Sequence, residues 1–305
     1  MWLGRYRRKT LLIDGGHQRN LPAARSHGYL TQDGATPADI LSAARKDVAR
    51  YPTVTTLEGA VAEIAATDDG FVAQIDGVEH RARRILFATG VEDSFPDVPG
   101  FDGLYGKSVF HCPCCDGYEA RDKDVVAIGW GEHVAGYSLD LLDWGARVTV
   151  LTNGERWEGD GACSTALRRH RVEVSEEPIR EFTTADDEMR GVTLASGRFV
   201  PAALAFFSIA HVPRTSLARQ LGCRLDDDGY ISTDEHGATS ITGVYAAGDV
   251  TPGEQLVQVA AAQGAVAGIA CAMSLRGEDA PEGTPPPGPD PEKEIEGAAP
   301  DPPKL

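Results

Sequence analysis

HCPCCDGYE (residues 111–119) runs almost directly into VVAIGWG (residues 125–131), and these two segments decide how the chain is read. The first carries Cys112 and Cys115 in C-x-x-C spacing, with Asp116 next in line. The second is a short apolar strand ending in a glycine turn, the form that holds a dinucleotide at the N-terminus of the following helix. A vicinal dithiol beside a nicotinamide site implies electrons moving between a pyridine nucleotide and a disulfide. Thiols accept a hydride poorly, so a flavin is expected between the two.

C-x-x-C serves two chemistries, a zinc half-site and a redox dithiol. Structural zinc needs four ligands in a tetrahedron. Here His111, Cys112, Cys114 and Cys115 crowd into five residues with no second C-x-x-C elsewhere, so a redox pair is the favoured reading, an inert pair the remaining one, and no metal is expected. Redox work requires one thiol as thiolate, which a helix N-terminus after the motif favours. Asp116 is placed to move a proton to the departing thiolate; it could equally serve as a helix cap.

GWGEHVA (residues 129–135) is an imperfect G-x-G-x-x-G/A. Gly129 can make the tight turn and Gly131 can admit a pyrophosphate, whereas Val134 at the third position predicts a wider spacing of helix and strand. The following strand ends LTNG (residues 151–154) without the acid that holds an NAD ribose, and Arg156 is close by. That pattern tilts towards NADPH, with NADH possible. Arg156 could also be an ordinary solvated arginine.

Working outward, KTLLID (residues 9–14) is a short strand ending in Asp14, and TPADILSAARKDVARYP (36–52) a helix capped by Thr36 with Pro37 at its first position. VTTLEGAVAEI, GFVAQID and ARRILFATG predict an antiparallel meander returning to a buried strand at Thr89–Gly90. GVTLASG and LAFFSIA are expected to complete the second parallel sheet, and GVYAAGDV brings Asp249 to a strand end ahead of an Ala/Gly-rich helix. The pattern is α/β with two Rossmann-like, three-layer nucleotide-binding domains. Asp14 stands where the first unit places its ribose acid, but only thirteen residues precede it. The first strand and glycine turn are therefore missing, and the chain is expected to begin mid-domain.

A formal charge of -17 excludes nucleic acid and anionic membrane as natural partners. Residues 277–305 hold nine prolines and a net -6, the composition of a disordered tail, and the rest keeps -11. Six cysteines, three of them clustered, are not a secreted disulfide framework; with no apolar run long enough for a signal peptide or a membrane span, a reducing cytoplasm is expected.

With LLIDGG, FATG, C-x-x-C-D-G, GWGEHVA, AHVPRTS and AAGDV in place, the chain resembles the low-molecular-weight thioredoxin reductases over residues 5–275. Within that family it is most similar to the branch that includes dithiol oxidases of disulfide-containing natural products. The resemblance implies a split FAD domain (1–107 and 226–276) with an NAD(P)H domain (108–225) inserted. It assigns Asp14 to the adenosine ribose and Thr89 and Gly90 to a turn beside FAD. Gly248 and Asp249 would hold the ribityl or pyrophosphate region, and Gln258 and Val259 would lie against the flavin ring. Cys115 would sit nearer the flavin, Cys112 would exchange with substrate, and Asp116 would be the acid–base. A homodimer acting on a thioredoxin-like protein or a small-molecule disulfide or dithiol follows by the same resemblance. The leading reading is a disulfide reductase; the same residues run backwards make a dithiol oxidase that passes electrons to oxygen. A truncated, non-catalytic nucleotide-binding or redox-sensing protein is the third alternative. Cys114, inside the motif, departs from the family pattern, as does TNGER in place of an arginine-rich 2′-phosphate site.

Overall fold

The computed structural model describes residues 1–186 and 188–276. The second unit forms around the glycine turn as its sequence predicts. Strands Glu173–Ser175, Arg147–Leu151, Asp124–Ile128, Leu204–Phe207 and Val109–Phe110 lie side by side in that order, all parallel. Val125, Val126, Ala127 and Ile128 are almost wholly buried, as a parallel sheet covered on both faces demands. One face packs Val125, Ala127, Val148 and Val150 against Val134, Leu141 and Leu167 from helices His133–Asp140 and Gly161–Arg169 and the turn between.

The other face is covered by an antiparallel sheet, Ile179–Ala185, Glu188–Leu194 and Phe199–Pro201, through Phe182, Val192 and Leu194. This corrects the expectation for GVTLASG: it belongs to the covering layer, not to the parallel sheet. Its four consecutive buried residues imitate a parallel strand because both its faces are occupied. At Gly191 a Cβ would clash with the Val200 carbonyl oxygen and with the edge of the Phe199 ring.

The first unit holds two separate parallel pairs. Thr10–Asp14 lies against Val54–Glu58, and Ile85–Phe87 against Val244–Ala246. Among the described residues no strand bridges them, and Leu11 and Leu12 are 37% and 42% exposed. VTTLE therefore pairs with the first strand instead of opening the meander, which consists of Val61–Thr67, Gly70–Ile75 and Val78–Ala82. The helix Pro37–Val48 starts as expected, with the Asp39 amide donating to the Thr36 hydroxyl at 3.0 Å, and stops short of Pro52 in a turn at Ala49–Tyr51.

The chain leaves the first unit and returns to it along one ribbon, Val91–Ser94 antiparallel to Ala210–Pro213. Beyond the return, Ala218 and Cys223 pack in one core with Ile64, Phe71, Phe87 and Val244, so residues after 210 join the flanking segments. The helix Val257–Met273 follows, burying Ala267, Gly268, Cys271 and Ala272. No described helix is long and apolar enough to cross a membrane, and no cluster of metal-ligand side chains occurs among the described residues. The tail expected at 277–305 lies outside them.

Candidate redox site

Cys112 and Cys115 are joined by a disulfide, with Cα atoms 5.3 Å apart. Cys112 is the N-cap of the one-turn helix Pro113–Asp116, and its sulfur accepts the Cys115 amide at 3.1 Å. Pro113 at the first helical position loses nothing there, because that N–H has no partner within a helix. The turn continues into a 3-10 helix, Gly117–Ala120, seated on Trp144: a Cβ at Gly117 would lie 2.6 Å from the indole. On the other flank the Tyr137 hydroxyl donates to the carbonyls of His111 and Phe207 at 3.2 and 3.1 Å, pinning the start of the motif to the sheet. Cys114 points out to solvent.

Asp116 follows Cys115 and is largely buried, and burial raises its carboxyl to about pH 7, opposed by the nearby His27 and reinforced by Glu119. Its side chain makes no cap bond, so the capping alternative falls away. His111 is held neutral, its pKa lowered to about 4 by burial and by Arg19. Its Nδ1 lies 3.3 Å from the Tyr105 hydroxyl, within a patch of Phe95, Phe101, Tyr105 and Phe207.

At the second turn a Cβ on Gly129 would fall 2.5 Å from the Ser208 carbonyl oxygen and 2.7 Å from Val134. Val134 therefore fills the room Gly129 leaves, and the wider spacing expected from that valine is unnecessary. A Cβ on Gly131 would meet the His133 ring at 2.7 Å. The turn opens on a cavity of about 580 Å³ lined by Trp130–His133, Glu158, Ser208 and Ile209. Backbone of this form fits a nucleotide pyrophosphate, although Glu132 and Glu158 add negative charge. Arg156 is exposed on the loop beyond Arg147–Leu151 and does not line this cavity. Gly129→Ala should cost about 1–3 kcal/mol by overpacking and lower the melting temperature, with NAD(P)H reduction weakened in step; an unchanged melting temperature would count against this packing.

Asp14 ends its strand by accepting the Gly16 amide at 2.9 Å, Gln18 Nε2 at 2.7 Å and Arg45 at 2.6 Å, and the Arg45 bond holds its carboxyl below the usual range. Beside it opens a cavity of about 680 Å³ lined by Gln18, Ser42, Arg45, Lys46 and Glu58 among others. Gln18 Oε1 is buried without a hydrogen-bond partner. The apolar side of this cavity, at Leu21, Ala38 and Leu41, suits an adenine ring, and its polar side, at Ser42 and Arg45, suits ribose hydroxyls. Thr89 and Gly90 are tied to the return segment: the Thr89 hydroxyl donates to the Arg214 carbonyl at 2.7 Å, and the Arg214 amide to Gly90 at 2.9 Å. Gly90 and Gly248 take left-handed backbone, at φ +67° and +79°. The Gly248 amide donates to Gln263 Oε1 at 2.7 Å, which fixes the turn carrying Asp249. Gln258 and Val259 lie in the first turn of the last helix, half-buried.

Sequence reading missed a polar knot between these sites. Arg19 donates to both oxygens of the buried Asp93 and to Gln255, and lies 3.6 Å from Asp249. The Gln255 amide reaches His211 at 3.0 Å and Tyr230 at 2.9 Å. These residues come from five distant segments, and apart from Asp249 in AAGDV and His211 in AHVPRTS no local pattern points to them.

The family model for pyridine nucleotide-disulphide oxidoreductases matches residues 1–264, and the chain belongs to that family. It is 26% identical to thioredoxin reductase aclD of Aspergillus oryzae, over 88% of this chain and 89% of that one. It is 29% identical to thioredoxin reductase sirT of Leptosphaeria maculans, over 91% and 90%. Among solved structures it resembles HlmI (TM-score 0.85, 34% identity, 91% and 88% covered). It also resembles an oxidoreductase from Agrobacterium tumefaciens (0.80, 35%, 90% and 92%). The chain is thus a thioredoxin reductase-like disulfide oxidoreductase dependent on NAD(P)H, in a family that uses FAD and NADPH.

Proposed function

We propose that the chain carries electrons from NAD(P)H to an external disulfide through the Cys112–Cys115 pair. The observation behind this is the disulfide itself, set at a helix N-cap and followed directly by a largely buried acid. When bound, FAD supplies the two-electron exchange between nicotinamide and disulfide. Asp14, Thr89, Gly90, Gly248, Asp249, Gln258 and Val259 hold it in this reading; Gly129, Gly131 and Arg156 hold the nucleotide. In the reduced pair, the Cys112 thiolate attacks one sulfur of the substrate and releases the other as a thiolate. Asp116 takes the proton from Cys115, whose thiolate attacks Cys112 and frees the second substrate thiol. The protein disulfide re-forms, and the substrate has gained two electrons and two protons.

The substrate is a thioredoxin-like protein or a small-molecule disulfide, and the chain acts as a split FAD domain around an inserted NAD(P)H domain, with residues 211–225, expected in the inserted domain, packed instead with the FAD-side segments. By its resemblance the protein works as a homodimer, and its free, buried Cys223 and Cys271 suit a reducing cytoplasm. A second reading runs the pair backwards, oxidising a dithiol with oxygen as terminal acceptor. Glu132 and Glu158 at the glycine turn favour it, since they oppose a nucleotide's phosphates.

Anaerobic NADPH titration of the FAD-loaded protein should expose two further thiols per chain, and none in Cys112→Ser. Thiols that appear with a dithiol but not with NADPH would select the oxidase direction. No new thiols with either would end both readings.

A further inference from the structure

Two acids from distant parts of the chain converge on one guanidinium. Arg19 lies on the loop after Asp14, Asp93 on the strand Val91–Ser94, and Asp249 on the turn that follows Val244–Ala246. Arg19 Nε and Nη2 donate to the two Asp93 oxygens at 2.7 and 2.5 Å, a forked pair around a carboxylate only 5% exposed. Arg19 Nη1 donates to Gln255 Oε1 at 2.5 Å, and Gln255 Nε2 donates in turn to the Tyr230 hydroxyl at 2.9 Å. The guanidinium is thus fixed on two sides. The same Nη1 stands 3.6 Å from Asp249 Oδ2, an ion pair just beyond hydrogen-bond distance, and the Asp249 side chain is 21% exposed. Asp93 is spent inside the protein, whereas Asp249 keeps acceptors for a donor from outside. Burial raises the Asp249 carboxyl; Arg19 opposes the rise most, His211 less, and Asp93 adds to it.

We infer that Arg19 is a positioning residue for the flavin, holding the Asp249 carboxylate open to accept hydroxyls of the ribityl chain. The inference rests on the reading that Asp249 holds FAD. A carboxylate accepts from hydroxyls and repels phosphate, so Asp249 suits the polyol and not the pyrophosphate. Without the guanidinium, two carboxylates would share a half-closed site, and one would keep a proton instead of its full acceptor set. Gln255 matters through the same arginine: its carbonyl holds Nη1 beside Asp249. Arg19 also sits one residue after Gln18, which lines the cavity beside Asp14. One loop therefore carries residues towards both halves of the cofactor, Gln18 to the adenosine and Arg19 to the ribityl.

The test titrates FAD into the full chain freed of flavin, read by flavin fluorescence, and measures ADP as a competitor for the same site. ADP carries the adenosine and the pyrophosphate but no ribityl. Arg19→Gln should weaken FAD about tenfold, the share of one charge-assisted hydrogen bond, and leave ADP within about twofold of wild type. Arg19→Lys keeps a cation for Asp249 without the fork on Asp93, and should restore FAD binding to within about threefold of wild type. Asp249→Asn should weaken FAD by itself. Adding Arg19→Gln to it should cost nothing more, because the arginine then has no carboxylate to hold. Arg19→Gln that binds FAD within about twofold of wild type overturns the inference, as does a double variant whose two losses multiply. Equal losses for FAD and ADP also overturn it, being the mark of a loosened loop beside Asp14. If Arg19→Gln fails to fold because Asp93 is left buried and unpaired, the same comparisons in an Asp93→Asn background decide, since both partners of that pair are then neutral. Asp249→Asn with FAD binding unchanged would instead end the reading of Asp249 as a flavin ligand, and a wild type that takes up no FAD would end the flavin reading itself.

Discussion

Cys112→Ser should abolish disulfide exchange, by at least about a thousandfold, as loss of a nucleophile does. Cys115→Ser should fail differently. The Cys112 sulfur accepts a backbone amide at 3.1 Å, a bond that favours its thiolate, so it remains able to attack. With no resolving thiol, a mixed disulfide should accumulate at Cys112. In a Cys114→Ser background, treatment with an aromatic disulfide and peptide mass mapping reads this directly. An adduct at Cys115 in Cys112→Ser, but none at Cys112 in Cys115→Ser, would exchange the two roles. Cys114→Ser alone should stay within about twofold of wild type, because one step along a helix turns a side chain about 100° away from its neighbour. If Cys114→Ser stops turnover while Cys112→Ser does not, the chemistry must be redrawn around Cys114.

The parts of this site that were legible in the sequence are those set by local chain geometry. The disulfide spans one helical turn, Asp116 is its neighbour, and the glycine turn depends on Gly129, where a Cβ would meet the Ser208 backbone. Thr36 and Pro37 start their helix for equally local reasons. What escaped was set by long-range contact. The VTTLE run is rich in β-branched residues and stands directly ahead of the meander, yet it pairs with residues more than forty positions earlier. GVTLASG is buried on both faces because a second sheet covers the first, and periodicity cannot tell that from a parallel strand. Arg19, Asp93 and Gln255 meet only after the ribbon of Val91–Ser94 and Ala210–Pro213 closes. His27 is a single histidine in a turn-rich stretch, and only the fold sets it beside Glu119.

Asp116→Asn should separate activity from stability. Burial lifts this carboxyl from its ordinary value near 3.8 to about 7, so around neutral pH it can both give and take a proton. Asparagine can do neither, and exchange should fall about a hundredfold or more, with the limb near pH 7 gone from the rate profile. Stability should move the other way. Between about pH 4 and pH 7 the native state keeps a proton that the unfolded chain has released, so wild-type stability falls as pH rises through that window. Over the whole window the loss is at most about 4 kcal/mol, at 1.36 kcal/mol per unit, and residual solvent contact reduces it. Asparagine carries no charge to bury and escapes this loss. Melting curves of the two proteins should therefore coincide most nearly at pH 4–5 and diverge as pH rises, with Asp116→Asn the more stable by several degrees at pH 8. A wild type that gains on the variant between pH 4 and 7 would show that the native fold prefers Asp116 ionised, and that the carboxylate is paired rather than poised.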